Sequence, residues 1–488
     1  MTYEHTGKEP RTSGSGAPGP GTATASPPAS AGDAVARERA ARLTARVDRL
    51  PMTWVQGRIL SQGGLSTTLD GLDLGIMSFL LPLITTAFAL TGTQQGLVAS
   101  ATLAGAFLGD LSLAVLGNRV GRKPLLLWSL ALYCGCTLVS AASPDFGMLL
   151  ALRFLAGVGV GVNVNIVIPY LAEFAPRKAR ATYVGSLAAF FGLGYVLAAL
   201  IGTFVVARVD DGWRWGLVLV GLPVALALWW RRGLPESPRY LLLKGRDEEA
   251  EAVVAELERK VAARSGAPLP QPEPPQLVER DEDLGFVRQF TALWQGPYLR
   301  QTVVVWSMFF VASFAYYGFL TFLPSMLLDR GMSITDSFGY SLLVEIAQVL
   351  GYYPAAWLAD RTDRKWSIVA CLAASTVCAF LLSQAHADLT VLVLSILLGF
   401  FLNGLYAPLY TYLPEVYPTR LRSMAAATSD AFSRVGGIVS PMIIGSMYAT
   451  LRFGGVFTLI CVVLAAGCVL TLTLSTATRG RSLETLSD

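Results

Sequence analysis

The stretch Asn118-Arg119-Val120-Gly121-Arg122-Lys123 lies between two long apolar runs and returns as Asp360-Arg361-Thr362-Asp363-Arg364-Lys365, 242 residues further on (118 to 360). Working outward from it, the same step carries Pro82 to Pro324, and Tyr170, Glu173, Pro176 and Arg180 to Tyr412, Glu415, Pro418 and Arg422. The spacing therefore holds from Pro82 to Arg180 with no net insertion. Charges and prolines are the residues an apolar segment excludes, so their recurrence in register is not a by-product of composition. Duplicated halves rich in membrane-length segments are the mark of secondary transporters, whose halves rock about a central site.

Of the 488 residues, 53% are hydrophobic and 15% charged, and the mean hydropathy is +0.51. Such a chain is too apolar to cover itself as a soluble globule. Twelve apolar runs begin near Leu65, Leu97, Pro124, Phe146, Thr182, Trp213, Thr302, Phe338, Trp366, Leu389, Met424 and Gly455, each approaching the roughly 20 residues a span requires. The fold expected is an all-α membrane protein of 12 transmembrane helices in two pseudo-symmetric six-helix bundles. Basic residues crowd alternate loops, at Arg119 to Lys123, Arg177 to Arg180, Arg231 to Arg232, Arg361 to Lys365 and Arg420 to Arg422. Those loops, and with them both termini, are predicted to be cytoplasmic.

The domains expected are a tail over 1–55, bundles over 56–232 and 301–475, a cytoplasmic linker over 233–300, and a second tail over 476–488. Residues 1 to about 33 carry little to bury. Ala34 to Leu50, with five arginines, reads as a basic helix, either at the inner leaflet or in solvent. The linker holds a helical stretch from Asp247 to Lys260 and then a proline-rich piece. No phosphate-binding loop occurs, and about 70 residues cannot form a nucleotide-binding domain. All six cysteines fall inside apolar runs, where neither a disulfide framework nor a zinc site is expected. No cofactor and no metal are expected, and the chain is not read as an enzyme.

Ionisable groups within spans cost roughly 2.5–3.5 kcal/mol each on insertion scales, so each is a site hypothesis by default. Seven occur: Asp70, Asp73, Asp110, Arg153, Glu345, Asp430 and Arg434. Asp70 and Asp73, three apart, share a helix face, and like charges in a low dielectric cannot both ionise cheaply. They are the proton-coupling candidates, with Asp110 beside them. The alternative for either is a local bond to Thr67 or Thr68. Arg434 offers a permanent fork for a carboxylate, or pairs with Asp430 one turn away. Arg153 and Glu345 lie in the outer half, where they can pair across the repeats. By the repeat, Asp70, Asp73 and Arg434 answer Ala312, Ala315 and Gly192. Scaffold motifs are duplicated, and these charges are not. Tyr316, Tyr317 and Asn403 are further candidate substrate contacts; the aromatic run around the tyrosines reads first as lipid-facing or core packing, and the two tyrosines are polar enough to stay candidates.

Across roughly residues 60 to 475 the chain resembles the major facilitator superfamily. Ala114 to Lys123 is similar to its signature loop Gly-x-x-x-Asp-Arg-x-Gly-Arg-Lys, with Ala114 and Asn118 as departures, and Ala356 to Lys365 repeats it with Asp363 in place of a glycine. The resemblance implies a cytoplasmic gate made of Asn118, Arg119, Arg122, Glu173 and Arg180 in one half and Asp360, Arg361, Arg364, Glu415 and Arg422 in the other. Pro235-Glu236-Ser237-Pro238-Arg239 is similar to the sugar-porter and organic-ion branches. Asp70-Gly71-Leu72-Asp73 resembles the aromatic-acid/proton symporters and nicotinate-type carriers, and Arg434 to Pro441 resembles the eleventh span of organic-anion carriers. The glycine-proline signature of drug antiporters is absent from the fifth span.

The function expected is proton-coupled uptake of a small organic anion, an aromatic or related monocarboxylate, through the cell membrane. Its partners would be that substrate, protons and the bilayer, with no nucleic acid and no second copy. An anion must bring more than one proton per cycle to gain from an inside-negative potential. The rival readings are a proton-coupled exporter, a sugar-type porter, and a membrane sensor that binds without flux.

Overall fold

Apolar runs of this length satisfy their backbone internally only as helices in a bilayer, and in the computed structural model the regular structure of the described residues is all helical, with no strand among them. It describes residues 31–265, 268–272, 274, 286–296 and 298–477, without the side chains of 31–37, 113–119, 181, 227–229, 231–232, 286 and 419. The first half holds α1 (Ala31–Asp48), α2 (Trp54–Phe88), α3 (Gly92–Val120), α4 (Arg122–Ser140), α5 (Phe146–Ala172), α6 (Arg180–Ile201, prolonged by a π turn over Gly202–Val206), α7 (Gly212–Gly221) and α8 (Val224–Gly233). The linker carries α9 (Pro238–Leu243), α10 (Asp247–Ser265) and α11 (Phe286–Leu293). The second half holds α12 (Tyr298–Asp329), α13 (Ile334–Arg361), α14 (Arg364–Ser383), α15 (Asp388–Gly404), α16 (Tyr406–Val416) and α17 (Thr419–Leu474). Among the described residues, nine helices are long and apolar enough to cross a bilayer.

Local chemistry sets the helix ends. Thr53-x-x-Gln56 and Thr91-x-x-Gln94 form capping boxes that open α2 and α3. Asp145 and Ser333 cap α5 and α13 through their side-chain oxygens. The two signature loops solve the same turn differently. Gly121 adopts φ 105°, a region open to glycine, whereas Asp363 keeps φ −86° and accepts the Lys365 amide at 2.9 Å as an N-cap. Near the end of the chain, α17 is interrupted at Arg452, whose φ of 50° turns it from one helix into two.

Within the first half α2 packs on α6, and α5 on α3 and α4; within the second, α12 and α14 pack on α17, and α13 on α15. Among the described residues the main pairings between the halves are α2 with α12, α3 with α17, and α6 with α13. By the repeat, α3 answers α13 and α6 answers the start of α17, so the last two seams are each other's images. Backbone meets backbone at the end of the α3–α17 seam away from the termini. A Cβ on Gly92 would stand 2.3 Å from the Gly445 carbonyl oxygen, and one on Gly96 would stand 2.6 Å from that of Pro441. Ser100 continues the seam by donating to the Ile438 carbonyl at 2.7 Å. At the same end Phe79 meets Phe338 edge to face, with centroids 5.3 Å apart. Apolar side chains such as Trp128, Val377, Phe380 and Val462 point outward, the surface a lipid solvent calls for.

The basic helix α1 docks on the linker. Leu43 and Val47 on the helix and Leu50 just past its end are buried, and the helix packs on α9 and α10. Arg46 and Arg49 each reach Glu258 at 2.7 Å, Arg39 pairs with Asp247, and Arg180 pairs with Asp48. The linker helix begins at Asp247 as expected and runs five residues past Lys260, to Ser265.

Candidate functional site

Charged side chains line the faces that α2, α3, α5, α13 and α17 turn inward. On α2, Asp73 is paired with Arg153 of α5 at 3.1 Å, both side chains fully buried. Thr137 of α4 donates to the same Asp73 oxygen at 2.6 Å, and Arg153 reaches Thr137 and Ser140 at 2.6 and 3.4 Å. Arg153 therefore belongs to the first half alone, and the expected pairing with Glu345 across the repeats does not form. Asp70, one turn earlier, accepts both of its contacts from Asn163 at 2.8 and 2.7 Å. Asn163 is itself held by Ser66 and Ser129. Neither aspartate bonds Thr67 or Thr68, whose hydroxyls return to the α2 backbone.

Arg434 makes an ionic link between the halves. Its Nε lies 3.3 Å from an Asp110 carboxylate oxygen, joining α17 to α3. Asn165 donates to the other Asp110 oxygen at 2.6 Å. Asp430, the local partner considered for Arg434, accepts instead from the Tyr410 hydroxyl at 3.1 Å. The ion pair uses the Nε edge of the guanidinium. Among the described residues no protein acceptor meets its terminal nitrogens, so the fork keeps an open edge of the kind that binds carboxylates bidentately. Arg434 lies within electrostatic reach of Asp70 as well.

Tyrosines stand around these charges. Tyr316 packs against Tyr317, Tyr406 and Tyr195 with centroids 5.2, 5.9 and 6.2 Å apart, the last contact crossing between the halves. Tyr317 lies within electrostatic reach of Arg434. A Cβ on Gly437 would stand 2.8 Å from the Tyr317 ring, so the glycine pair after Arg434 admits α12. Asn403 donates to the Gln348 carbonyl at 2.7 Å, tying α15 to α13. A cleft of about 420 Å³ at the terminal end of the second half is lined by Tyr410, Leu413, Pro414, Arg422, Ser423 and Ala426.

At that end the repeat extends to the ion pairs. Arg122 pairs with Glu173, and Arg364 pairs with Glu415 at 3.1 Å; each partner is displaced by the same 242 residues. Ser237 donates to Glu173, and Glu236 accepts the Lys123 amide at 3.1 Å, so the Pro-Glu-Ser-Pro stretch fastens the first loop. Arg364 also lies 4.0 Å from Asp360, and Arg361 covers the Trp357 ring at 4.2 Å. These contacts lie within one half each, so the latch between halves expected of the basic loops is not formed by them in this conformation. The side chains of Asn118 and Arg119 lie outside the described residues.

Sequence reasoning passed over Asn163, Asn165, Thr137, Tyr195, Tyr406 and Tyr410. The asparagines had a signal: two amides two residues apart in an otherwise apolar run are costly unless they hold a polar partner.

A duplicated helical bundle with paired charges turned onto an internal seam defines a multi-pass membrane transporter. The chain belongs to the sugar (and other) transporter family, which matches residues 64–488, and with it to the major facilitator superfamily. A niacin transporter of Acinetobacter baylyi is 33% identical over 445 residues, covering 91% of this chain and 99% of the relative. A putative niacin/nicotinamide transporter of Bacillus subtilis is 29% identical over 418 residues, covering 85% and 95%. Among solved structures, the partially occluded inward-open xylose transporter of E. coli superposes with a TM-score of 0.71 at 18% identity, covering 88% of this chain and 100% of that one.

Proposed function

We propose that the chain is a proton-coupled symporter that takes up a small aromatic monocarboxylate across the cell membrane by alternating access. Twelve crossings follow when α3 and the α7–α8 pair join the nine apolar helices and α17 is divided at Arg452. The basic loops put both termini in the cytoplasm. The names of the two bacterial relatives supply the substrate class, since niacin is a pyridine carboxylate.

The observation that carries the reading is the Asp110–Arg434 pair between the halves. In the empty carrier each charge neutralises the other. A substrate carboxylate that takes the open edge of Arg434 makes Asp110 a surplus anion in a low dielectric, and one proton on Asp110 removes the excess. A proton without the anion leaves Arg434 uncompensated, and the anion without the proton leaves the site negative, each costing several kcal/mol. Binding of one therefore favours binding of the other, which is the coupling free energy symport requires. Asp70 is held by an amide, with no cation in bonding distance. Asp73 acts through Arg153, holding α2 to α5. The duplicated Arg122–Glu173 and Arg364–Glu415 pairs keep each basic loop ready to close the cytoplasmic side.

Proteoliposome uptake of labelled nicotinate, benzoate and 4-hydroxybenzoate, with and without an inward proton gradient, tests this. Accumulation should need the gradient and vanish in Arg434→Ala. Asp110→Asn should still exchange substrate across the membrane but lose gradient-driven accumulation. Accumulation that survives Arg434→Ala, or proton flow opposite to substrate flow, would overturn the reading.

A further inference from the structure

Each buried carboxylate described so far has a hydrogen-bonding or ionic partner: Asn163 for Asp70, Arg153 for Asp73, Arg434 and Asn165 for Asp110. Glu345 on α13 is the exception. It is 2% exposed, and its Oε2 has no hydrogen-bond partner among the described residues. One turn further along α13, Gln348 has a buried side-chain oxygen in the same condition. An unmet polar group of this kind costs about 1–3 kcal/mol when neutral and more when charged, which favours a site completed by something that arrives. Glu345 lies within electrostatic reach of Tyr195 and Tyr316. Tyr195 belongs to α6, so Glu345 sits on the α6–α13 seam, the image of the seam that carries Asp110 and Arg434. A chain of tyrosines leads from one toward the other: Tyr195 meets Tyr316, Tyr316 meets Tyr317, and Tyr317 lies within electrostatic reach of Arg434.

We propose that Glu345 reads the ring of the substrate, sharing a proton with a basic ring nitrogen while Arg434 holds the carboxylate, so that the carrier selects pyridine carboxylates over benzenoid acids. The inference rests on the aromatic-acid reading above and deepens it. The chemistry needs no further reactant. In its acid form Glu345 donates O–H to the ring nitrogen; if the proton crosses, the carboxylate accepts N–H from the pyridinium, and the same single proton is held between them. Tyr316 and Tyr317 offer ring faces and edges to a planar substrate lying between the two poles. A site built to bond a polar atom discriminates strongly against the analogue that lacks it, because its own buried group is then left unpaired.

Equilibrium binding of nicotinate and benzoate to the purified full chain in lipid nanodiscs decides the matter. The native protein should bind nicotinate at least about tenfold more tightly than benzoate. Glu345→Leu should abolish the preference by weakening nicotinate, with benzoate bound no more weakly than by the native protein, which also reports that the variant is folded. Glu345→Gln keeps an N–H donor and should retain most of the preference. No preference in the native protein, equal weakening of both acids in Glu345→Leu, or a glutamine variant as poor as the leucine one would each overturn the assignment. Failure of the parent reading looks different: neither acid binds the native protein, or both bind Arg434→Ala as well as they bind the native chain.

Discussion

Asp73 and Arg153 have no exposed surface on either side chain, so removing one charge strands the other in the interior. Asp73→Asn should lower stability by about 3–5 kcal/mol, read as a fall in Tm in detergent, and the paired change Asp73→Leu with Arg153→Met should recover most of the loss. A single variant as stable as the native protein would mean the pair contributes nothing. At this scale the sequence marked seven charges within apolar runs, because a charged letter there needs no context to be noticed. Partnership was another matter. Arg434 has an acid four residues away and bonds one 324 positions away (110 to 434), since the choice turns on how α17 is rotated against α3, which spacing along one helix cannot specify.

Among the elements, α1 brings an apolar stripe and a basic face to the linker helices α9 and α10. Burial of Leu43, Val47 and Leu50 supplies roughly 1.5–3 kcal/mol per side chain as an upper range, and Glu258 organises the charges. Burial by itself raises the Glu258 carboxyl, but hydrogen bonds from Arg46 and Arg49 outweigh it and hold the group below the usual glutamate range. A carboxylate depressed in the docked state favours docking above its free pKa, and that contribution fades as pH falls through the depressed value. Amide hydrogen exchange in α1, expressed as protection relative to the free peptide, should therefore show strong protection at neutral pH that is lost in acid, and Glu258→Ala should remove the pH dependence and leave α1 weakly protected throughout. Equal protection of native and variant at neutral pH would refute the docking role. The sequence marked α1 as basic and α10 as helical. It did not join them, because the basic face alone suits a lipid surface equally well, and only the arrival of α10 beside it decides between them.

For the molecule as a whole, the proposed exchange replaces a neutral ion pair by a neutral trio of anion, proton and arginine. The loaded and empty carriers then cross with the same net charge. A potential worth about 2.3 kcal/mol per charge per 100 mV should not drive accumulation. Uptake into proteoliposomes at fixed proton gradient should be unchanged when a potassium diffusion potential is imposed, and a strong dependence would require a second proton, with Asp70 the place to seek it. The duplication was fully legible, since its anchors are residues the apolar background excludes, and it extends to ion pairs repeated at the same step. The seams were not legible, being built from glycines and carbonyl oxygens that carry no distinguishing letter. Their construction has an electrical consequence. Where Gly92 and Gly96 lie against Gly445 and Pro441, no side chain intervenes and the backbones close to within the size of a water molecule. A file of waters is the route by which protons leak, so a seam this tight would carry none, and a proton gradient of the kind proposed above would not be short-circuited through it.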